Sequence, residues 1–427
     1  MTWTDPVAAF RDLAGGKQRM FWLDGGGSRD WSGRRSIVGW LDDGDVSLTY
    51  DAASQEVRRH TGSADRVVGD DIFWCLEEEM ARDNGDPAVS WVGYFGYACR
   101  PDLAAQVEHR TAVPDALWMR VRDPLVFEHP DTDSSAARTA RAVRAPDSLV
   151  GRAEYQEWFD RVQEQLRLGN TYEVNLTYRR EVLSRVDPVT AYLRLRDLNP
   201  APYAGFLQHD GVRVLSSSPE RFATIDRHRW VETKPIKGTT PRGETEAEDR
   251  RHSHELGTDP RYRAENLMIV DLLRNDLSMV CAPGTVSVPT LMEVESYASV
   301  HQLASTVRGH LRPEVSTVAA LRALFPAGSM TGAPKLRTME VIADVETTPR
   351  GVYAGALGWI GGDGRADLGV VIRTLVTTPV TPVTPPGSDG DWRYLLGTGG
   401  GITVRSDATS EYDETLWKVA RLLTALE

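Results

Sequence analysis

Lys237 stands in the run Lys234-Pro235-Ile236-Lys237-Gly238-Thr239, after a proline that halts any helix and before a Gly-Thr pair. Such a setting can hold an amine against a ligand with little water around it. The amine's usual pKa is about 10.4, so only roughly one exposed lysine in a thousand is neutral near neutral pH, a gap of about 4 kcal/mol. Burial or a neighbouring cation narrows that gap and makes the nitrogen a nucleophile. The plain alternative is a surface lysine at a strand end. Glu220, in Ser216-Ser217-Ser218-Pro219-Glu220-Arg221-Phe222, is a candidate general acid, and the alternative is an arginine-paired surface carboxylate.

Three more acids suit a hard cation. Glu411, Glu414 and Lys418 share one side of a terminal helix pattern, opposite the apolar stripe Tyr412, Leu416, Val419 and Leu423. Ser410 and Asp413 fit a capping box that starts this helix. Glu265 opens another long helix, Arg261 to Met279, with apolar positions 267, 270, 273, 277 and 280. Two helices presenting carboxylates across a cleft could share one Mg²⁺, although a solvated acidic face reads equally well.

Anion-binding features are also present. The tract Gly397-Thr398-Gly399-Gly400-Gly401 exposes backbone N–H groups but has neither dinucleotide nor phosphate-loop spacing. Gly328-Ser329-Met330-Thr331-Gly332-Ala333-Pro334-Lys335 places Pro334 at a first helical position, another helix start able to meet an anion. Arg373, read as part of the apolar strand Gly369-Val370-Val371-Ile372-Arg373, calls for an anionic partner, and a substrate carboxylate is one candidate. Tyr353 and His301 carry less signal, since either fits a satisfied core residue.

The elements that must position these groups are mostly strands. Residues 18–128 read as short strands broken by glycine, and 129–149 as a polar linker. Residues 150–427 hold every candidate above. There a helix, Arg152 to Leu168, closes at Gly169-Asn170, and a strand follows over Thr171 to Tyr178. Val212 to Ile225 and Arg229 to Ile236 read as one hairpin about Asp226, bringing Glu220 and Lys237 to the same end of a sheet. Residues 379–391 are a proline-rich loop between two strands. Runs of strands without regular βαβ alternation argue for an α+β fold with largely antiparallel sheets.

Bulk properties limit the partners. The 427 residues carry a net charge of −12, with no basic stripe interleaved with aromatics, so nucleic acid is not expected. Such a protein can still bind an anion, because charges beyond about 8 Å are screened. Three scattered cysteines without a CxxC pair suit a reducing compartment. The opening residues lack the pattern of a secretory signal, and no apolar run approaches membrane-spanning length. A cytoplasmic protein without membrane association is the expectation.

Together, Ser217 to Phe222, Pro235 to Thr239, Arg263 to Asp276, Phe325 to Lys335, Val371 to Thr374, Gly399 to Gly401 and Glu411 to Glu414 make the chain similar to the chorismate-utilising enzymes. Within them it most resembles the aminodeoxychorismate synthase component I branch, which leads to para-aminobenzoate. The matching runs span about 150–427 in family order, and Val92 to Tyr97 fits the family's first part more loosely.

The resemblance implies two face-packed, largely antiparallel sheets wrapped by helices, with chorismate between them. It implies Mg²⁺ held by Glu265, Glu411 and Glu414, with Glu220 as general acid and attack by Lys237 on C2 of the ring. Ammonia then replaces the lysine, ending at C4. Arg373, Tyr353, Gly399 and Gly401 would hold the enolpyruvyl carboxylate, and His301, Ser329 and Thr239 would line the ring pocket. Lys418 would balance the metal's acids. Residues 1–128 would complete the sheets and could carry an effector pocket.

Ammonia is expected from a glutamine amidotransferase subunit or from solution, and the product would serve folate or secondary metabolism. Anthranilate synthases resemble the chain but carry alanine where Lys237 stands. Isochorismate synthases carry a lysine base where this chain has Glu173. Two departures stand out. Tyr262 replaces an acid many relatives have, with Asp259 as a possible substitute, and Glu173 replaces a glutamine. The alternatives are anthranilate synthase component I and a catalytically weak chorismate-binding protein.

Overall fold

The computed structural model describes all residues except 1–4, 26–34, 63, 110–111, 130–149, 298–299 and 379–391. The expected linker, beyond its first residue, and the proline-rich loop therefore lie outside the described residues. The described strands form two antiparallel sheets, one of nine strands and one of twelve. Side chains alternate across each strand, which sorts the core into three layers. Phe21, Leu207, Val214 and Val376 of the nine-stranded sheet meet Val92, Tyr94, Leu117 and Leu357 of the other in the layer between the sheets. Their neighbours Trp22, Phe206, Leu215 and Leu375 face outward against helices, including Arg152–Arg167 and Ala408–Thr424. The twelve-stranded sheet buries its outer face against Ile72–Ala81, Pro260–Ser278 and Thr317–Leu324. This is the α+β architecture expected. Strands before residue 129 extend both sheets at one end.

The expected hairpin from 212 to 236 is only half present. Val212–Ser218 pairs with Tyr203–His209 in the nine-stranded sheet, whereas Arg221–Ile225 pairs with Trp230–Lys234 in the twelve-stranded sheet. Pro219 lacks an N–H and cannot continue the first ladder, so the chain changes sheets there. Glu220 stands at this crossing. A second crossing lies at 371–373, between Ala366–Val370 of one sheet and Thr374–Thr378 of the other. Arg373 is therefore not within a strand; it sits at the kink with φ of 48°. The crossings are tied together by Val370 N–H to Glu220 O at 2.9 Å and Ser217 N–H to Arg373 O at 3.1 Å.

Two helices also depart from expectation. The last helix starts at Ala408, two residues early, because Asp407 rather than Ser410 is its cap and accepts from Ser410 N at 2.9 Å. In Pro260–Ser278 the buried face runs through Ile269, Val270, Leu272, Leu273 and Leu277, and Leu267 is exposed. Among the described residues no helix is long and apolar enough to cross a membrane. The three cysteines are free and buried.

Candidate active site

The seam where the chain changes sheets encloses a cavity of about 220 Å³. Lys237 reaches it through a β-bulge. Ile236 pairs with Ala304 and Thr239 with Gln302, so one extra residue is looped out on the lysine strand. Gly238 permits this with φ of 88°, and a Cβ there would lie 2.9 Å from Tyr262 Cγ. Lys237 is 9% exposed. Its Nζ donates to Glu173 Oε1, and Glu173 is 1% exposed. Burial alone would lower the lysine pKa, but Glu173, then Glu265 and Glu220, hold it above its ordinary value. The amine is thus buried beside a carboxylate that favours its charged form, whereas a neutral amine was expected.

Glu220 faces the same cavity and accepts from Ser329 Oγ at 2.6 Å. Burial pushes its carboxyl up to about 7, against the opposing pull of Ser329, Lys237, Lys418 and Arg373. A carboxyl so placed is a competent acid at neutral pH.

The opposite wall is the glycine tract at the end of the Trp392–Ile402 strand. A Cβ on Gly401 would lie 2.4 Å from Glu173 Oε1 and 3.1 Å from Lys237 Nζ, so only a bare backbone fits. A Cβ on Gly397 would lie 2.3 Å from Tyr353 Cγ. Thr398 turns away and donates from Oγ1 to Thr415 O at 2.9 Å. Beneath Tyr353, Glu346 accepts from Arg179 at 2.8 Å and Arg350 at 2.7 Å, and both arginines are buried. Arg350 also donates to Met330 O at 2.6 Å and Asn175 O at 2.8 Å, fixing the cavity floor.

Glu265, Glu411 and Glu414 all line the cavity. Burial pushes Glu265 up to about 7 and also raises Glu411, which is further raised by Glu414. Lys418 bonds Glu414 at 2.7 Å and Gly399 O at 2.9 Å, and holds the Glu414 carboxyl below its ordinary value. Among the described residues no three acidic, histidine or cysteine groups converge closely enough to hold an ion as placed. The three acids thus face one space without forming a preassembled cage. Asp259 is not among the lining residues; it caps its helix and accepts from Arg261 N at 2.7 Å.

Of the remaining expected residues, Thr239, Ser329, Tyr353, Arg373, Gly399, Gly401 and Lys418 line the cavity. His301 is not among the lining residues. Its ring is held by Ser296 at 2.8 Å and Asp249 at 2.9 Å, and its strand neighbour Gln302 faces the cavity instead. Lys335 points away to Asp276 at 2.6 Å, so the Pro334 helix start brings no cation to the site. The reading by residue type missed Arg261, which lines the cavity beside Glu265. Its position one turn before Glu265, on the same helix face, was the available signal.

Helices outside two face-packed antiparallel sheets define a fold that solved structures share. Anthranilate synthase component I from Streptococcus pneumoniae superposes with a TM-score of 0.73 at 22% identity, over 99% of both chains. Residues 39–424 match the family of chorismate binding enzymes, and the chain belongs to that family. An aminodeoxychorismate synthase of Streptomyces pristinaespiralis is 39% identical over 99% of this chain and 64% of its own length. Aminodeoxychorismate synthase component 1 of Salmonella typhimurium is 36% identical over 86% of this chain and 77% of its own. The chain thus spans a little under two thirds of the length of the Streptomyces relative.

Proposed function

We propose that this chain aminates chorismate at C4, giving 4-amino-4-deoxychorismate, through a transient bond from Lys237 to C2. One observation carries this reading: the Lys237 amine and a Glu220 carboxyl whose pKa burial pushes up to about 7 open onto the same cavity. As Lys237 bonds C2, the ring double bonds shift and the C4–oxygen bond breaks. Glu220 gives its proton to the departing hydroxyl, which leaves as water. Ammonia then bonds C4, the double bonds return, the C2–nitrogen bond breaks, and Glu220 regains a proton from the new amine. Two displacements deliver the nitrogen to C4.

Arg373, with the glycine-tract backbone and Tyr353, would hold the side-chain carboxylate. Glu265, Glu411 and Glu414 offer hard oxygen donors to Mg²⁺, and their raised or mutually opposed charges fit a divalent cation. Bound there, magnesium would supply positive charge at the ring carboxylate and make the ring electron-poor. A dianionic substrate arriving with a divalent cation adds no net charge to the cavity. Ammonia would come from a glutamine amidotransferase subunit or from solution.

The test is turnover of chorismate with Mg²⁺ and ammonium salt, with products separated by chromatography. The expected product carries nitrogen at C4, Lys237→Ala abolishes it, and chelation of the metal stops turnover. A fluorescent aromatic product would indicate anthranilate formation, and binding without turnover a mere chorismate binder. A C4 product from Lys237→Ala refutes the lysine route.

A further inference from the structure

The resting amine poses a problem that the residues around it resolve. A lysine held as an ammonium has no lone pair for C2, so its proton must pass to a neighbouring base. Lys237 Nζ donates directly to Glu173 Oε1. The other oxygen, Glu173 Oε2, is fully enclosed and has no hydrogen-bond partner among the described residues. Glu173 therefore keeps an unused acceptor position beside the amine. Gly401 closes the backbone over the pair, so solvent does not reach it from that side.

We infer that Glu173 takes the proton from Lys237 at the start of each turnover and returns it at the end. This rests on the lysine route proposed above. The ion pair becomes an amine and a carboxylic acid, with no change in net charge. The Nζ lone pair then forms the C2 bond, and on expulsion the lysine leaves C2 as a neutral amine. Glu173 gives back its proton, and the ion pair is restored. The other charged groups acting on Lys237 are Glu265 from the Pro260–Ser278 helix and Glu220 at the sheet crossing. Glu414 of the last helix also feels its charge. Glu220 is committed to the leaving oxygen and Glu265 belongs to the acid set proposed for magnesium, which leaves Glu173 for the amine. A glutamine at 173 could accept the hydrogen bond but not the proton.

The experiment compares wild type, Glu173→Gln, Glu173→Asp and Lys237→Ala, with chorismate, Mg²⁺ and a fixed concentration of free ammonia. In Glu173→Gln, kcat at neutral pH should fall about 100-fold with KM for chorismate little changed. The ratio of its kcat to that of wild type should climb with pH, because the lysine must then shed its proton to solvent. Dividing by the wild-type value cancels the ionisation of Glu220. Glu173→Asp should retain more activity than the amide and show a flat ratio. If the amide variant does not fold, Glu173→Asp carries the test: its shorter carboxylate must slow turnover, and an unchanged kcat overturns the inference. A flat ratio for Glu173→Gln, with Lys237→Ala inactive, overturns the role of Glu173 alone. A C4 product from Lys237→Ala overturns the lysine route and this inference with it.

Discussion

Removing the Ser329 hydroxyl should move the acid limb of catalysis in a defined direction. Glu220 is pushed up to about 7 by burial, while Ser329 Oγ, donating at 2.6 Å, favours its ionised form. At the ordinary value of 4.5, a carboxyl is protonated about 0.3% of the time at pH 7, whereas at about 7 it is half protonated. The cavity therefore raises the fraction of competent acid more than 100-fold. Because the acid form is needed, kcat/KM should fall above pH 7, and protonated Glu220 drops about tenfold between pH 6 and 8. A hydrogen bond to a charged group contributes about 1.5 kcal/mol or more, so Ser329→Ala should shift this limb upward by about one pH unit. The assay is kcat/KM for chorismate between pH 5.5 and 9.5 at fixed free ammonia. Glu265, also raised to about 7, must ionise to meet a metal and would give the opposite limb. Saturating Mg²⁺ moves that limb to lower pH and isolates Glu220. A falling limb that stays in place, or moves to lower pH, in Ser329→Ala would refute the assignment of Glu220 as the acid.

Two further outcomes follow from packing. Gly401→Ala should leave the fold intact but cut kcat about 100-fold, since its new carbon would lie 2.4 Å from Glu173 Oε1 and force the Lys237 pair apart; wild-type kcat in this variant would contradict the tight fit. Glu346→Gln removes the negative charge shared by two buried guanidinium groups and should cost about 3–5 kcal/mol. With an unfolding entropy of about 2.1 cal/mol/K per residue, that is a melting point lower by about 3–6 °C in calorimetry. An unshifted melting point would show that the network contributes little.

Much of the site was legible because its residue types are unusual for their local settings. A lysine beside Gly-Thr, a glycine tract before a helix, and acids along one helix side each need an explanation beyond folding, and all meet at the cavity. What was not legible is tertiary. Alternation of side chains reveals a strand but not the sheet it joins, so the crossings at Pro219 and Arg373 were read as continuous strands. Leu267 fits the helical period yet faces outward, because an adjacent stripe of Ile269, Val270 and Leu273 makes the better buried surface. His301 is held by Ser296 and Asp249, and only the register of its strand shows that Gln302 is the residue turned to the cavity. Glu173 read as an added negative charge near the ring; its partner lies 64 positions away, across two sheets.

The glycine tract limits how this protein can diverge. Gly397, Gly399, Gly400 and Gly401 offer only main chain to the cavity, and Thr398 spends its side chain on the neighbouring helix. That wall has no alphabet in which a new preference could be written, since an added carbon at 397, 399 or 401 would overlap Tyr353, the neighbouring strand or Glu173. Change of substrate or of incoming nucleophile falls more easily to the side chains around it, at position 173 on the neighbouring strand and at 237 and 261–265 on the facing side. A single codon there can alter the chemistry while the seat for the ligand stays as it is.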